Sequence, residues 1–345
     1  MGRMNKREPK FRNLNVIINV TGMSPLLLDF LPSRKSTSNR LRLNLSHVKK
    51  VDSIGLSVLL GVLFVGKRPS DEFVIDLVPS KTESVNEKLN MLEISPLLAM
   101  LNSRTGPAGH SKDLFRTEFS NNQTGTCPSS TPSCQKNFEK VHLFIPHAHA
   151  NRQEALIAFS NQLKSTFQLD SPRSFNHEHM ITILIELAKN TLDHSNGIGI
   201  LGIRIHSGAM NNRKIRITYC DTGEGICLHV RKFLSSNNAS ALNISEQRLV
   251  KKGSAIDFLQ KAFTAGFSSK GGNKTNYGMG LTLVTQGAFG CGFEVWLRDA
   301  NSIIDLSGMK NSHTHTDMRE ASSATTAAKV LLFNFEKEIV NERQL

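Results

Sequence analysis

Tryptophan and tyrosine are almost absent from this chain. One Trp, two Tyr and nineteen Phe put the aromatic weight on a residue that fills cores, and they offer no evident row of stacking platforms for nucleobases. The five cysteines, Cys127, Cys134, Cys220, Cys227 and Cys291, are odd in number, and the opening MGRMNKREPK is basic but leads into no apolar h-region. That usage fits a reducing compartment rather than a disulfide scaffold. Cys127 and Cys134 lie seven apart in a Ser/Thr/Pro-rich loop, which is not zinc-ribbon spacing, and His313 with His315 makes only a lone HxH in a polar loop. The longest apolar run, IGLSVLLGVLFVG from Ile54, falls short of the roughly 20 residues that span a bilayer. There is no internal repeat and no block of five or six like charges. These absences lead to the expectation of a soluble, cytoplasmic protein with no membrane partner.

What is present is positive charge and enough apolar residues for cores. The formal net charge is +13 over 345 residues, and 39% of the residues are hydrophobic. The length suggests two domains. A basic surface attracts phosphates, but Lys and Arg are scattered here, so nonspecific attraction is expected and no specific nucleic acid is.

Along the chain, apolar alternation predicts strands at NVIINVTG from Asn15, at RLRLNLS (40–46) and at DEFVIDLVPS (71–80). VDSIGLSVLLGVLFVGK turns into an apolar helix, and ESVNEKLNMLEISPLLAML (83–101) reads as one amphipathic helix. Residues 103–138 shift to Gly, Ser, Thr, Asn and Pro, which favour turns; this is the predicted linker, with LFRTEF as a short strand inside it. The expected domains are therefore 13–102 and 139–340. In the second, VHLFIPHA, GIGILGIRIHS, RKIRITYCD, FEVWLRD, SIIDLSG and KVLLFNFEKE read as strands. NRQEALIAFSNQLKSTF, HEHMITILIELAKNTLDHS and LTLVTQGAFG read as helices. Both halves are α/β (α+β), with helices laid on sheets.

Three short stretches carry chemistry. In ELAKNTLDHS, residues 186–195, Glu186, Asn190 and His194 follow one another at i, i+4 spacing, with Lys189 and Asp193 beside them. Taken alone, this is the wet face of an amphipathic helix whose other side carries Ile181, Leu184, Ile185, Leu187, Ala188 and Leu192. In DTGEGI, 221–226, Asp221 ends a strand, and Gly223 and Gly225 permit a sharp turn and close approach to a ligand. A carboxylate fixed there can accept from an exocyclic amine. In NYGMGLTLV, 276–284, Gly278 and Gly280 precede a helix, where backbone N–H groups converge on a site for an anion.

In this order, and at these element boundaries, the three stretches resemble the N box and the two glycine boxes of the Bergerat-fold (GHKL) ATPases. These include gyrase, heat-shock chaperones, histidine kinases, mismatch-repair ATPases and anti-sigma-factor serine kinases. The resemblance covers roughly residues 140–338 and implies a two-layer α/β sandwich binding ATP and Mg²⁺. By that likeness, Glu186 matches the catalytic general base and Asn190 the Mg²⁺ ligand. Asp221 matches the adenine-reading carboxylate, with Gly223 and Gly225 shaping its pocket. Gly278, Met279 and Gly280 match the phosphate loop. AGFSSKGGNKTNY (265–277) looks like the lid over ATP, with Gly271 and Gly272 as hinge and Lys270 and Lys274 within reach of phosphates. Asp193 matches the chaperone and mismatch-repair variant of the N box and His194 the anti-sigma-kinase variant, so the subfamily stays open.

LRLNLSHVKKVDSIGLSVLLGVL, 41–63, resembles the STAS domain of anti-sigma-factor antagonists, with Asp52, Ser53, Gly55 and Leu56 fitting its turn. That likeness makes Ser53 a candidate phosphoacceptor; the alternative is that Ser53 simply caps its helix. Asn44 and Ile54 depart from the family pattern. The implied protein is an ATP-binding regulator. It would act as an ATPase or serine-kinase-like phosphotransferase on its own STAS-like domain or a protein partner. The alternative is a switch that binds ATP without turning it over.

Overall fold

The computed structural model describes residues 40–46, 48–64, 74–102, 137–146, 149, 151–170, 176–194, 197–207, 213–223, 225–236, 242–264, 267, 280–299, 302–306, 319–320 and 329–337. The predicted strands at 15–22 and 114–119 lie outside them. The fold is α/β at the coarse level. It divides into two compact units: residues 1–52 with 69–130, and residues 53–68 with 131–345.

In the first unit, β1 (Arg40–Asn44) and β2 (Val74–Val78) pair in parallel, Arg40 opposite Val74 through Asn44 opposite Val78. The stretch expected to be a single helix at 83–101 is two helices, α2 (Glu83–Met91) and α3 (Ile94–Asn102). The break follows from Pro96. Inside one continuous helix its ring would clash with the Leu92 carbonyl, and it has no N–H to give that carbonyl. The chain instead closes α2 with the Leu92 and Glu93 N–H groups on the Lys88 and Asn90 carbonyls. Glu93 takes a φ of 55°, and the helix restarts with Pro96 in its first turn, where no donor is needed.

The second unit is built on a seven-stranded sheet in the order β3-β4-β5-β9-β6-β7-β8. The strands are β3 (Asn137–Phe144), β4 (Gly199–Ser207), β5 (Arg213–Asp221), β6 (Glu294–Asp299), β7 (Ser302–Asp305), β8 (Arg319–Glu320) and β9 (Lys329–Lys337). Every neighbouring pair is antiparallel. Strand alternation sorts the side chains by face. Leu201, Ile203 and Ile205 of β4 and Ile215, Ile217 and Tyr219 of β5 join one core. That core also takes in residues of α4 (Arg152–Asp170), α5 (His177–His194) and α9 (Gly280–Gly290). Three further helices, α6 (Ile226–Ser236), α7 (Ile244–Lys252) and α8 (Ala255–Ala262), gather a smaller core around Val230, Leu234, Phe258 and Ala262.

The even-numbered residues of β4 and β5 face the other way, and α1 (Ser53–Phe64) lies on Gly202, Thr218 and Cys220 among them. Its sequence, SIGLSVLLGVLF, has no charged residue, and every residue from Asp52 to Gly61 is buried. A helix apolar all round belongs inside a protein. Among the described residues, no helix is long and apolar enough to cross a membrane.

Candidate nucleotide site

Helix α5 starts where Asn176 Oδ1 accepts from the His179 N–H at 3.0 Å, a side-chain cap for the first turn. Its apolar stripe is buried: Met180, Leu184 and Ala188 are fully covered, and Ile183 and Leu187 nearly so. The opposite stripe is the one quoted above. Glu186 lies half-buried, with Oε1 accepting from Lys189 Nζ at 2.5 Å. Asp193 pairs with Arg152 of α4. Of the His194 side chain nothing is described.

Asn190 differs from its neighbours. Its Nδ2 is buried and has no hydrogen-bond partner among the described residues. The amide's two ends are interchangeable by a flip, so one buried end of the half-buried Asn190 side chain lacks a partner among the described residues. Such a group costs about 1–3 kcal/mol, and a ligand on this face would offset that cost. The amide oxygen suits Mg²⁺, a hard ion that keeps several waters and takes the rest of its ligands from phosphates. Asn190 would supply one such oxygen to a Mg²⁺ ion, whose charge would be set against phosphates. Among the described residues no group of three or more His, Cys, Asp or Glu stands ready to hold a metal.

Two contacts fasten the end of α5 to the end of β5. Thr191, next to Asn190, shares a 2.8 Å hydrogen bond with the Tyr219 hydroxyl, both groups buried. Burial, then the Asp221 charge, push the Tyr219 phenol well above its ordinary range, so it stays neutral. Gly199 leaves room for that hydroxyl, since a Cβ there would collide with it. Further on, Thr222 and Ile198 bond reciprocally. The Thr222 N–H donates to the Ile198 carbonyl, and Thr222 Oγ1 accepts from the Ile198 N–H, each at 3.0 Å. The chain four residues past His194 is thus locked to the residue after Asp221.

Asp221 is 4% exposed, and its Oδ1 accepts from the Gly223 N–H at 2.8 Å. That turn fixes the orientation of the carboxylate. Gly225 answers to a different neighbour. A Cβ on it would stand 2.7 Å from Oδ1 of Asp299. Asp299, buried at the end of β6, accepts from the Ile226 N–H at 3.0 Å with Oδ1 and from the Cys227 N–H at 2.7 Å with Oδ2. It caps α6 across the sheet and holds the glycine turn down. Burial, then the Asp299 charge, against the weaker pull of Arg231, raise the Cys227 thiol to about 11.

Neither a protein-family model nor a curated protein matches the chain. The structure ties Thr191, next to Asn190, to Tyr219, two residues before Asp221. Gly280 opens α9, and this helix packs closely on α5, where a Cβ on Gly287 would stand 2.6 Å from His179 Nε2. Gly278, Met279 and Lys270 lie outside the described residues, as does the lid apart from Phe267. Phe267 sits edge-on to Phe233, ring centroids 6.0 Å apart, with Lys261 Nζ 5.3 Å from its ring centroid.

Ser53 is fully buried. It is the first residue of α1, and its Oγ donates to the Ile203 carbonyl at 2.7 Å, while its N–H donates to Glu139 Oε2 at 2.9 Å. The hydroxyl is thus committed to β4 rather than to capping its own helix. Sequence reasoning missed Asp299 and this seat for α1. A glycine inside an alternating strand, Gly202 in GILGIRIHS, was the available signal for close approach by another element.

Proposed function

We propose that the second unit binds adenine nucleotide with Mg²⁺ in the manner of the Bergerat ATPases. We further propose that binding regulates a STAS-like N-terminal segment or a protein partner. The observation that carries this reading is the buried, unsatisfied end of the Asn190 amide, on a helix fastened to the strand that ends in the buried, oriented carboxylate of Asp221. A metal ligand and an adenine acceptor are the two protein groups such a site needs most. Glu186 is the base that would activate water or a serine hydroxyl. Phosphoryl transfer depends mainly on positioning and charge stabilisation, which a base, a metal and backbone donors supply. Gly278, Met279, Gly280 and Lys270 complete the proposed phosphate side.

One observation favours the switch without turnover: Glu186 Oε1 is engaged by Lys189 Nζ of its own helix. Phosphorylation of Ser53 requires α1 to leave β4, because its hydroxyl is buried. Calorimetry with ATP and GTP, with and without Mg²⁺, tests the site. Incubation with γ-labelled ATP, reading free phosphate and labelled protein separately, tests turnover. Equal affinity for ATP and GTP would refute the adenine assignment.

A further inference from the structure

We infer that α1 is a coupling element of the nucleotide site: its docking on β4 and β5 and the seating of Asp221 are thermodynamically linked. The inference rests on the nucleotide reading above. It starts from spacing. Ser53, Ser57 and Gly61 recur at i, i+4, i+8 and so form one stripe of small residues along α1. The structure shows what each one meets. Ser53 bonds to the Ile203 carbonyl and to Glu139, whose other oxygen lies 3.5 Å from Nε of Arg204, its cross-strand partner. Ser57 Oγ shares a 2.5 Å bond with Thr218 Oγ1, and both are buried. Gly61 lies on Cys220, where a Cβ would stand 2.6 Å from the cysteine's own Cβ.

The opposing strand is shaped to match. A Cβ on Gly202 would come within 2.5 Å of both the Ser53 carbonyl oxygen and Ser57 Oγ. The helix therefore touches β5 at Thr218 and Cys220, the latter adjacent to Asp221. On its far face the same strand bonds α5 through Tyr219 and Thr191, one residue from Asn190. A shift of α1 at Gly61 cannot avoid moving Cys220, and a close-packed interior transmits such a shift rather than absorbing it. The residues on either side of this segment, up to Asp52 and from Pro69, belong to the first unit.

Linkage makes the effect reciprocal: adenine nucleotide should tighten the docked helix, and undocking should weaken nucleotide by the same factor. The test uses the full chain with Mg-ATP. Hydrogen exchange of the α1 amides should slow on saturation with Mg-ATP, by about 5- to 150-fold, the usual span of such couplings. Gly61→Leu, which forces α1 from Cys220, should speed that exchange and raise the Kd for Mg-ATP by a similar factor. If wild-type protein binds Mg-ATP but α1 exchange is the same with and without it, the inference is overturned and the nucleotide site stands. An undocked Gly61→Leu with wild-type affinity overturns it equally. Should that variant not fold, the wild-type exchange decides alone. If wild-type protein binds no nucleotide at all, the functional reading fails first and takes the inference with it.

Discussion

Replacing Asp299 with alanine should loosen the glycine turn at its root. The carboxylate is buried and accepts two N–H groups of the first turn of α6, from Ile226 and Cys227. Each hydrogen bond to a charged group is worth about 1.5–3 kcal/mol, which sets a ceiling of about 6. Removing the carboxylate also removes its own burial cost, and water can enter the space to reach the freed N–H groups. Cap substitutions by alanine cost about 0.5–2 kcal/mol, and loss of a negative charge at a partly buried helix start adds up to about 2. The expected loss is therefore about 2–4 kcal/mol, and about half that for Asp299→Asn, which keeps one acceptor. Urea unfolding followed by the fluorescence of Trp296, the chain's one tryptophan and a residue of the same strand, measures both. Gly225→Ala offers a cross-check. Its new Cβ would crowd the Asp299 carboxylate at 2.7 Å, an overpacking cost of about 1–3 kcal/mol, and that cost should shrink in the Asp299→Ala background. Strict additivity of the two substitutions, or an Asp299→Ala loss below about 0.5 kcal/mol, would refute the reasoning.

Asp221→Asn should weaken adenine-nucleotide binding by about 10- to 150-fold, the worth of one charged hydrogen bond, with the Trp296 unfolding curve little changed; wild-type affinity in calorimetry would remove Asp221 from the site. Glu186→Ala should keep ATP binding yet lower any turnover by roughly 10²–10⁴; unchanged phosphate release would leave this helix face without a catalytic role. Asn190→Ala should abolish the gain in nucleotide affinity on adding Mg²⁺, and a retained gain argues against a metal there. The Cys227 thiol titrates in the folded state near 11 instead of near 9. The thiol is therefore neutral when folded where it would ionise unfolded. Its contribution to stability is full below pH 9 and is lost as pH rises through 11, and alkylation of Cys227 should show the same midpoint. Asp299→Asn should lower that midpoint, because it removes the charge that raises it.

Much of the local structure is legible from the residues alone. Strict alternation in GILGIRIHS and RKIRITYCD gives two strands with one apolar face each, and the 3.6-residue period of HEHMITILIELAKNTLDH gives an amphipathic helix, because side-chain direction follows backbone repeat. The polar stripe of that helix and the Asp-Gly turn after β5 are equally readable as candidates for chemistry. Pro96 was readable too, yet the amphipathic pattern running through 83–101 concealed the break it forces. Periodicity says which face is apolar but not what will lie on it. SIGLSVLLGVLF reads as a buried helix, and nothing in its pattern names β4 and β5 as its seat. That choice rests on contacts between residues far apart in sequence: Ser53 with Ile203, Ser57 with Thr218, Gly61 with Cys220. Asp299 is the same kind of case, a carboxylate that closes a strand in the sequence and caps a helix begun 73 positions earlier. The sequence by itself determined most of the strands, the helices around 152–170, 177–194 and 280–290, their apolar faces and the order of the motifs. Tertiary structure alone decided which faces meet, which amide is left unsatisfied and which carboxylate holds the turn, because those depend on how the chain closes its long loops.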